Sequence, residues 1–284
     1  MDLDTPELPY QMGCDIYVGK IKFYRWKMLF LTVTIIILTN LSFTQNQYNF
    51  QDTIYIENLH GNVKSIYVSV YSAKEYFGEV KQDKLEQSFK LFFNEKGLLI
   101  KRINYTNNGQ IKYSVIPVYN SEDLLIEQTT KNPQGLITRK IRYTYNEFGD
   151  RAVETLYKKN GEVEKKYTYN YDYDSLIVQK IEYGSYGENE KLAKTYNFDS
   201  IGNIYYDIFQ DKFNDLDVNY YEYDSSRNIS KLWWNDFEFH RIESSIFKYD
   251  SHDNFIERIK YFSLNEEVLG AVYEKTIRKI EYYD

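Results

Sequence analysis

A unit of about 26 residues recurs seven times from residue 93 onward. In each copy an aromatic residue precedes Asp or Asn, then turn-forming residues, and usually an apolar residue six positions after the aromatic. The copies begin at Phe93, Tyr119, Tyr145, Tyr171, Phe198, Tyr223 and Tyr249. Weaker turn signals lie about halfway between copies, at Tyr105–Gly109, Lys131–Gly135 and Tyr157–Gly161. Each half-period is too short for a strand–helix unit, so the repeat predicts consecutive β-hairpins.

Side chains alternate in character on the approach to each repeat aromatic. Phe89, Leu91 and Phe93 are apolar, whereas the interleaved residues, such as Lys90, are mostly polar. Further apolar residues recur ten positions after the aromatic, at Ile103, Ile181, Ile208, Trp233 and Ile259. The chain holds 31 tyrosines, whose rings cover a pleated surface well. A period of two with one apolar face predicts a half-buried antiparallel sheet.

The repeat predicts an all-β fold, a continuous antiparallel β-meander of about 14 or more strands. An open twisted sheet rarely exceeds about 10 strands without curling or splitting. We therefore expect the meander to curl into a spiral or open half-barrel with its aromatic face inside. The alternative is a flat single layer whose aromatic face docks on a partner or on a second copy. Residues 89–284 form the repeats, and 45–88 hold N-terminal strands with an excursion loop or short helical turn at Ala73–Gln87.

The fullest form of the motif is Tyr-Asp-x-x-Gly-Asn-apolar, best preserved in Phe198–Ile204, Tyr223–Ile229 and Tyr249–Phe255. It resembles the YD repeats of bacterial RHS-type proteins, over about Phe89 to Asp284. The resemblance implies hairpins in a continuous spiralling strip, which in large toxins encloses a cargo polypeptide, and it implies export without assigning an activity. The period here is longer than the family's, and no self-cleaving core or C-terminal toxin is recognisable. The chain looks closer to small secreted bacterial proteins built from degenerate YD-like repeats.

Residues 1–44 are predicted to be a signal peptide or an N-terminal membrane segment. A basic flank precedes the apolar run Met28–Leu38, and small residues Ser42 and Thr44 suit cleavage before Gln45. The leader is long, and initiation at Met12 would shorten it, so the start is doubtful. We expect an exported protein, periplasmic, cell-surface or secreted, that meets a membrane only through this segment if it stays uncleaved.

Charge and composition exclude several classes of function. The net charge is -7, which is unsuitable for binding nucleic acid. The only cysteine, Cys14, lies in the leader, and three histidines without paired spacing predict neither a metal site nor a cofactor. The turn aspartates Asp199, Asp224 and Asp250 raise the possibility of calcium, but hydrogen bonds to turn NH groups explain them better.

The predicted binding site lies where the repeat pattern breaks, at Trp233–Arg241. Two of the three tryptophans lie there, beside acidic and basic residues. Exposed aromatic rings next to charged groups are typical of recognition surfaces. The candidate binding residues are Trp234, Asp236, Phe237, Glu238, Phe239 and Arg241. The structural alternative is that this segment caps the open end of the sheet or covers an edge.

These observations favour an exported, non-enzymatic β-repeat protein that presents a surface to a protein or glycan at the cell envelope. One alternative is a structural or encapsulating β-shell element that shields a partner polypeptide. A second is a glycan hydrolase, which needs two carboxylates at a defined separation. No catalytic residue is assigned.

Overall fold

The computed structural model describes residues 59–183, 191–200, 202–210, 216–236, 239–264 and 270–284, and the predicted leader lies outside them. Sixteen β-strands follow one another along the chain. They are β1 (Val63–Tyr76), β2 (Glu79–Phe93), β3 (Leu99–Tyr105), β4 (Ile111–Tyr119), β5 (Leu125–Lys131), β6 (Ile137–Tyr145), β7 (Arg151–Tyr157), β8 (Val163–Asp172), β9 (Ile177–Tyr183), β10 (Lys191–Phe198), β11 (Ile204–Gln210), β12 (Leu216–Tyr223), β13 (Ile229–Asp236), β14 (Phe239–Tyr249), β15 (Phe255–Ser263) and β16 (Ala271–Tyr282). No helix among these residues is long and apolar enough to cross a membrane.

The strands form a closed antiparallel barrel in which each strand pairs with its neighbours in the sequence. β1 also pairs with β16, in a register that joins Ile66 to Ile280 and Val70 to Thr276. The predicted all-β antiparallel meander is therefore confirmed, but the predicted spiral or open half-barrel is wrong, and so is the flat alternative. Closure pairs the backbone groups of two strands that an open sheet would leave as exposed edges.

The repeat turns share one hydrogen-bonding pattern. In the turn after Tyr223, Oδ1 of Asp224 accepts the NH groups of Ser226 and Asn228, each at 2.9 Å. Arg227 takes a positive φ of 61°, at the position held by glycine in several other copies. Asn94, Asn120 and Asn146 accept equivalent bonds in their own turns. The repeated Asp or Asn is thus a turn residue whose side chain satisfies two backbone donors.

The repeated tyrosine joins its own hairpin to the preceding one. The hydroxyl of Tyr119 donates to the carbonyl oxygen of Leu99, the first residue of β3, at 2.9 Å. The bond recurs from Tyr145 to Leu125, from Tyr171 to Arg151 and from Tyr223 to Ile204, at 2.6–3.0 Å. We call these bonds the tyrosine clamps. All lie at one end of the barrel, which we call the turn rim because the repeat turns form it.

Directly paired residues of an antiparallel sheet share a face, so the register assigns every strand residue to one side of the wall. Phe89, Tyr143, Tyr169 and Tyr196 share the inner face and are at most 8% exposed. The residues ten positions after each aromatic lie on the outer face instead; Ile103, for example, pairs with Lys90. A register shift follows the repeat turns except the one between β8 and β9, and it changes the face that later residues occupy.

Ala73–Gln87 holds neither a helical turn nor an excursion loop. Strands β1 and β2 continue through this segment as a long hairpin that turns at Phe77 and Gly78. Its residues are mostly exposed, although Ala73 packs with Tyr261 and Val272 of the neighbouring wall.

Removing one clamp hydroxyl tests the contribution of the clamps to stability. Tyr119→Phe leaves the ring in place and deprives the half-buried Leu99 carbonyl of its donor. We expect a loss of about 1 kcal/mol in the free energy of unfolding, measured by urea denaturation. Tyr113→Phe is the matched control, because Tyr113 lies on the same face of β4 and its hydroxyl has no hydrogen-bond partner among the described residues. Equal losses from both substitutions would contradict the clamp.

Candidate functional site

A buried ionic cluster lies on the inner face of β7, β8 and β9. Glu154 is at its centre, and its Oε2 accepts a 2.8 Å hydrogen bond from the Tyr169 hydroxyl. The same oxygen lies 3.7 Å from Nη1 of Arg151 and 3.8 Å from Nζ of Lys180. The Lys180 ammonium also lies 3.9 Å from the ring centroid of Tyr167, a cation–π contact. Lys180 is 1% exposed and Glu154 is 4% exposed.

Burial dominates the electrostatics of this cluster. It lowers the pKa of Lys180 to about 8, with Glu154 acting in the opposite direction. Burial also raises the pKa of Tyr169, and the neighbouring Glu154 carboxylate raises it further. Because Glu154 is closed to solvent and accepts the Tyr169 hydroxyl, the cluster is part of the barrel wall and does not present its carboxylate to a ligand.

A second buried carboxylate has the same role on the next strands. Asp207 is 1% exposed and accepts hydrogen bonds from the Tyr221 hydroxyl at 2.6 Å and from Nδ2 of Asn219 at 2.9 Å. Nζ of Lys194 lies 2.9 Å from Oδ2 of Asp207, the oxygen that also accepts the Tyr221 hydroxyl. The inner wall of β7–β12 is thus a network of tyrosines and paired charges.

The predicted binding residues lie at the opposite rim, around the connection from β13 to β14. Trp234 is on the inner face, where it pairs with Asn219 and Arg241, and its ring centroid lies 6.3 Å from that of Phe262. Asp236 and Phe239 pair with each other at the end of this hairpin. Phe237 and Glu238 lie outside the described residues. Trp233, not Trp234, is on the outer face, stacked on Tyr220 at 5.5 Å.

The turn between β8 and β9 departs from the repeat and forms one wall of a cavity at the turn rim. Asp172 pairs directly with Ile177, and the positive φ moves to Leu176, at 56°. The cavity has a volume of 310 Å³ between this turn and the β10–β11 turn. We call it the rim pocket; it is lined by Asp150, Tyr171, Asp172, Tyr173, Leu176, Ile177, Val178, Phe198, Asp199, Ser200 and Gly202.

Hydrogen bonds and ring contacts hold Tyr173 in the wall of the rim pocket. Its hydroxyl donates to Oδ2 of Asp150 at 2.6 Å, and its ring stacks on Tyr171 with centroids 5.7 Å apart. Phe148 contacts the Tyr173 ring edge to face at 5.2 Å. Phe148 and Tyr173 are 69% and 50% exposed, so aromatic surface reaches solvent beside the pocket.

The charge of the rim pocket is negative. Asp150, Asp172 and Asp199 line it, and none of its lining residues is Lys, Arg or His. Bonds from the Ser175 hydroxyl and backbone lower the pKa of Asp172, so this carboxylate stays ionised. In the part of the chain that the structure describes, no three His, Cys, Asp or Glu residues converge as metal ligands.

The outer wall of the barrel carries cross-strand ion pairs. Glu127 pairs with Lys140 and Arg142, each at 3.0 Å. Glu257 pairs with Lys248 at 2.7 Å and with Lys275 at 2.9 Å.

Sequence reasoning missed the rim pocket, although two signals mark it. The spacing from Tyr171 to Phe198 is 27 residues rather than 26. This copy has Ser175 and Leu176 where Phe198–Ile204 has Gly202 and Asn203. Tyr173 and Leu176 of this turn line the cavity.

The fold defines a class of protein, the closed antiparallel barrel of 16 strands. No protein-family model and no curated protein matches the chain. Among solved structures, it is similar to a porin-like protein from Bacteroides uniformis at 10% identity, with a TM-score of 0.37 and coverage of 79% of this chain and 99% of that one. A porin-like protein from Bacteroides vulgatus shows 12% identity, a TM-score of 0.34 and coverage of 78% and 98%.

Tc toxin components, which contain RHS/YD repeats, are also among the similar structures. The Photorhabdus luminescens Tc holotoxin pore shows 10% identity and a TM-score of 0.20, over 75% of this chain and 16% of that one. At such scores these likenesses carry no argument about what this chain does.

The depressed pKa of Lys180 makes stability depend on pH. Between its folded value of about 8 and its ordinary value of 10.5, the unfolded chain binds more protons, so the free energy of unfolding rises with pH. We expect the difference between the wild-type protein and Lys180→Met to rise by about 2 kcal/mol from about pH 7.5 to 9.5, measured by urea denaturation. The tyrosines are common to both chains and cancel. Parallel stability curves would refute this assignment.

Proposed function

We propose that this protein is an exported, non-enzymatic binding protein that holds a partner protein or a glycan at the turn rim of its barrel. The main support for this proposal is the rim pocket, a 310 Å³ cavity bordered by exposed aromatic rings. It lies where one repeat departs from the others. Aromatic rings beside charged groups are the side chains that dominate recognition surfaces. This proposed binding site differs from the one that the sequence predicted, at Trp233–Arg241.

Backbone strain at Leu176 supports a functional role for this turn. Leu176 is 40% exposed and has a φ of 56°, a conformation that Gly or Asn adopts at lower cost. Neither burial nor local geometry favours leucine at this position. Strained residues of this kind cluster at ligand-binding sites.

The export part of the proposal rests on the leader, and the non-enzymatic part on how the charged groups are used. Glu154 and Asp207 are buried inner carboxylates: Glu154 accepts the Tyr169 hydroxyl beside Arg151 and Lys180, and Asp207 accepts bonds from Tyr221 and Asn219 and pairs with Lys194. The pocket carboxylates Asp172 and Asp199 accept turn NH groups. These carboxylates therefore hold the backbone and the aromatic rings in place. This role suits a binding protein better than an enzyme that hydrolyses a glycan.

Ring closure supports a second candidate, an encapsulating shell that shields a partner polypeptide. A barrel of about 16 strands encloses more space than its own inward side chains fill. The inner wall of β7–β12, with tyrosines and charges of both signs, would suit a polar polypeptide. This candidate predicts a second chain that co-purifies with the barrel and is lost when the ring is opened.

A paired substitution at the turn rim tests the proposal. Phe148→Ser with Leu176→Asn removes exposed apolar surface and places Asn where φ is positive. We expect the immobilised variant to retain at least about fivefold less of the partner than the wild-type protein, because a central apolar contact contributes about 1 kcal/mol or more. A protein partner is captured from an envelope fraction by cross-linking, and a glycan partner is identified on a glycan array.

Leu136→Ser is the control, since Leu136 is 56% exposed in a turn at the opposite rim. It should retain the partner as the wild-type chain does, and all three proteins should unfold at similar urea concentrations. Undiminished retention by the rim variant, or an equal loss in the control, would rule the turn rim out as the binding site.

A further inference from the structure

Residues from the two ends of the described chain meet at the turn rim and complete one more copy of the repeat motif. Tyr282–Asp284 provides its first three positions and His60–Val63 its last four, so together they align with Tyr249–Phe255 without a gap. We call this copy the divided turn, because no peptide bond joins Asp284 to His60. The seven continuous copies and the divided turn together make eight repeat turns.

The backbone of the divided turn has the geometry of a continuous repeat turn. The NH group of Tyr283 donates to the carbonyl oxygen of Asn62 at 2.8 Å, as that of Asp250 donates to Asn254 at 2.9 Å in the last continuous copy. Gly61 has a φ of 75°, in the left-handed region that the same position occupies in most continuous repeat turns. The two parts of the divided turn are therefore placed as if the chain ran through them.

The strands that leave the divided turn also have the register of a continuous hairpin. Val63 pairs with Tyr282 and the next pair is Ser65 with Glu281, so one residue of β1 bulges beside the turn. Strands β14 and β15 show the same shift beside their own turn. Hydrogen bond, backbone dihedral and register thus agree that the ring is closed by a repeat turn without its covalent link.

Asn254 ties the two parts of the divided turn together. Its Oδ1 accepts the NH group of His60 at 2.8 Å, and its Nδ2 donates to the His60 carbonyl oxygen at 2.7 Å. Nδ2 also donates to the Tyr282 hydroxyl at 2.8 Å, so a single amide contacts both parts. Asn254 is 1% exposed, which shields these bonds from water. Tyr283 stands where a continuous copy has Asp or Asn, and the His60 NH group bonds to Asn254 instead.

Asn228 has the same position one repeat earlier and shows which contacts are special to Asn254. Its Nδ2 donates to the next repeat tyrosine at 3.1 Å, as that of Asn254 does. Its Oδ1 has no hydrogen-bond partner among the described residues. In the turn beside it, Asp250 accepts the NH group of His252, which corresponds to that of His60. The bonds that hold His60 thus distinguish Asn254 from an otherwise equivalent residue.

We propose that the divided turn is the latch of the barrel, the place at which the closed ring opens. A continuous turn keeps its two strands close even when its hydrogen bonds break, whereas only non-covalent contacts keep β1 beside β16. Local opening therefore begins at the latch and exposes the paired edges of these two strands. If the barrel encloses a polypeptide, the latch is the entrance. The inference does not rest on the rim pocket, which lies between other turns.

Amide hydrogen exchange of the full chain, followed by NMR, measures this opening directly. The NH group of Tyr283 is the latch amide, and that of Asp250, in the same position of a continuous turn, is the reference amide. We expect the protection factor of the latch amide to be at least about tenfold lower than that of the reference amide, because local opening releases it alone.

Two matched substitutions test the role of Asn254. Asn254→Ala removes the two bonds to His60 and should lower the protection of the latch amide by about a further tenfold. Asn228→Ala removes the same turn amide and its bond to a tyrosine, but no bond between the ends of the chain. It should leave the protection of the latch amide unchanged.

A pair of engineered disulfides tests the latch without weakening it. Ser65→Cys with Glu281→Cys joins directly paired residues beside the latch, and Lys248→Cys with Glu257→Cys joins the corresponding pair of a continuous hairpin. Both are made with Cys14→Ser, which removes the only native cysteine. Directly paired strand residues lie within the reach of a disulfide. When oxidised, the first disulfide should raise the protection of the latch amide to that of the reference amide, and the second should leave it unchanged.

Three results would each overturn the inference. They are equal protection of the two amides in the wild-type protein, equal effects of Asn254→Ala and Asn228→Ala on the latch amide, and an oxidised seam disulfide that leaves the latch amide unprotected. The first comparison needs no substitution, so it stands even if a variant fails to fold. None of these measurements involves the Phe148 and Leu176 variants, whose retention of a partner decides the proposed function separately.

Discussion

The tyrosine clamp is the interaction on which the rest of the structure depends. A hydroxyl at the end of one strand satisfies a backbone carbonyl 19 or 20 residues earlier, so the hairpins that begin with Tyr119, Tyr145, Tyr171 and Tyr223 are each fixed to the one before. The adjacent Asp or Asn satisfies the turn that follows. A single two-residue motif therefore sets both the turn and the junction between turns, and its repetition produces a ring with one ordered rim.

The inward-facing residues of the barrel differ in character between two parts of the wall. Around β16, β1 and β2 the buried residues are mostly aliphatic and aromatic, with Ile66 and Phe89 fully buried. Around β7–β12 the inner positions hold tyrosines together with Glu154, Lys180 and Asp207, which are buried because each is paired with an opposite charge or a hydroxyl. Breaking one such pair costs more than the pair itself contributes, since it leaves a buried charge without compensation. The tyrosines thus allow a barrel to keep charges inside its wall.

The sequence predicted those features that depend on neighbouring residues and missed those that depend on distant ones. The period of 26 residues identified the hairpins, the turn role of Asp224 and the inward aromatic face. It could not show that Ile66 would pair with Ile280, because no local pattern records a contact over that separation. Trp233 and Trp234 were assigned to the wrong faces because the register shift after the β12–β13 turn changes the phase. The rim pocket was missed because turns of two different repeats form it, and no local pattern shows that their side chains meet.

Closure of the ring between β1 and β16 has a consequence for how the protein is made. The first described strand has no partner on one side until Ala271–Tyr282, near the end of the chain, has been synthesised. Contacts of such high sequence separation form slowly, and unpaired strands favour association with other chains in the meantime. Until β1 and β16 pair, both strands have an unpaired edge that can associate with other copies of the chain. Ring closure therefore protects the described strands from self-association, independently of any ligand.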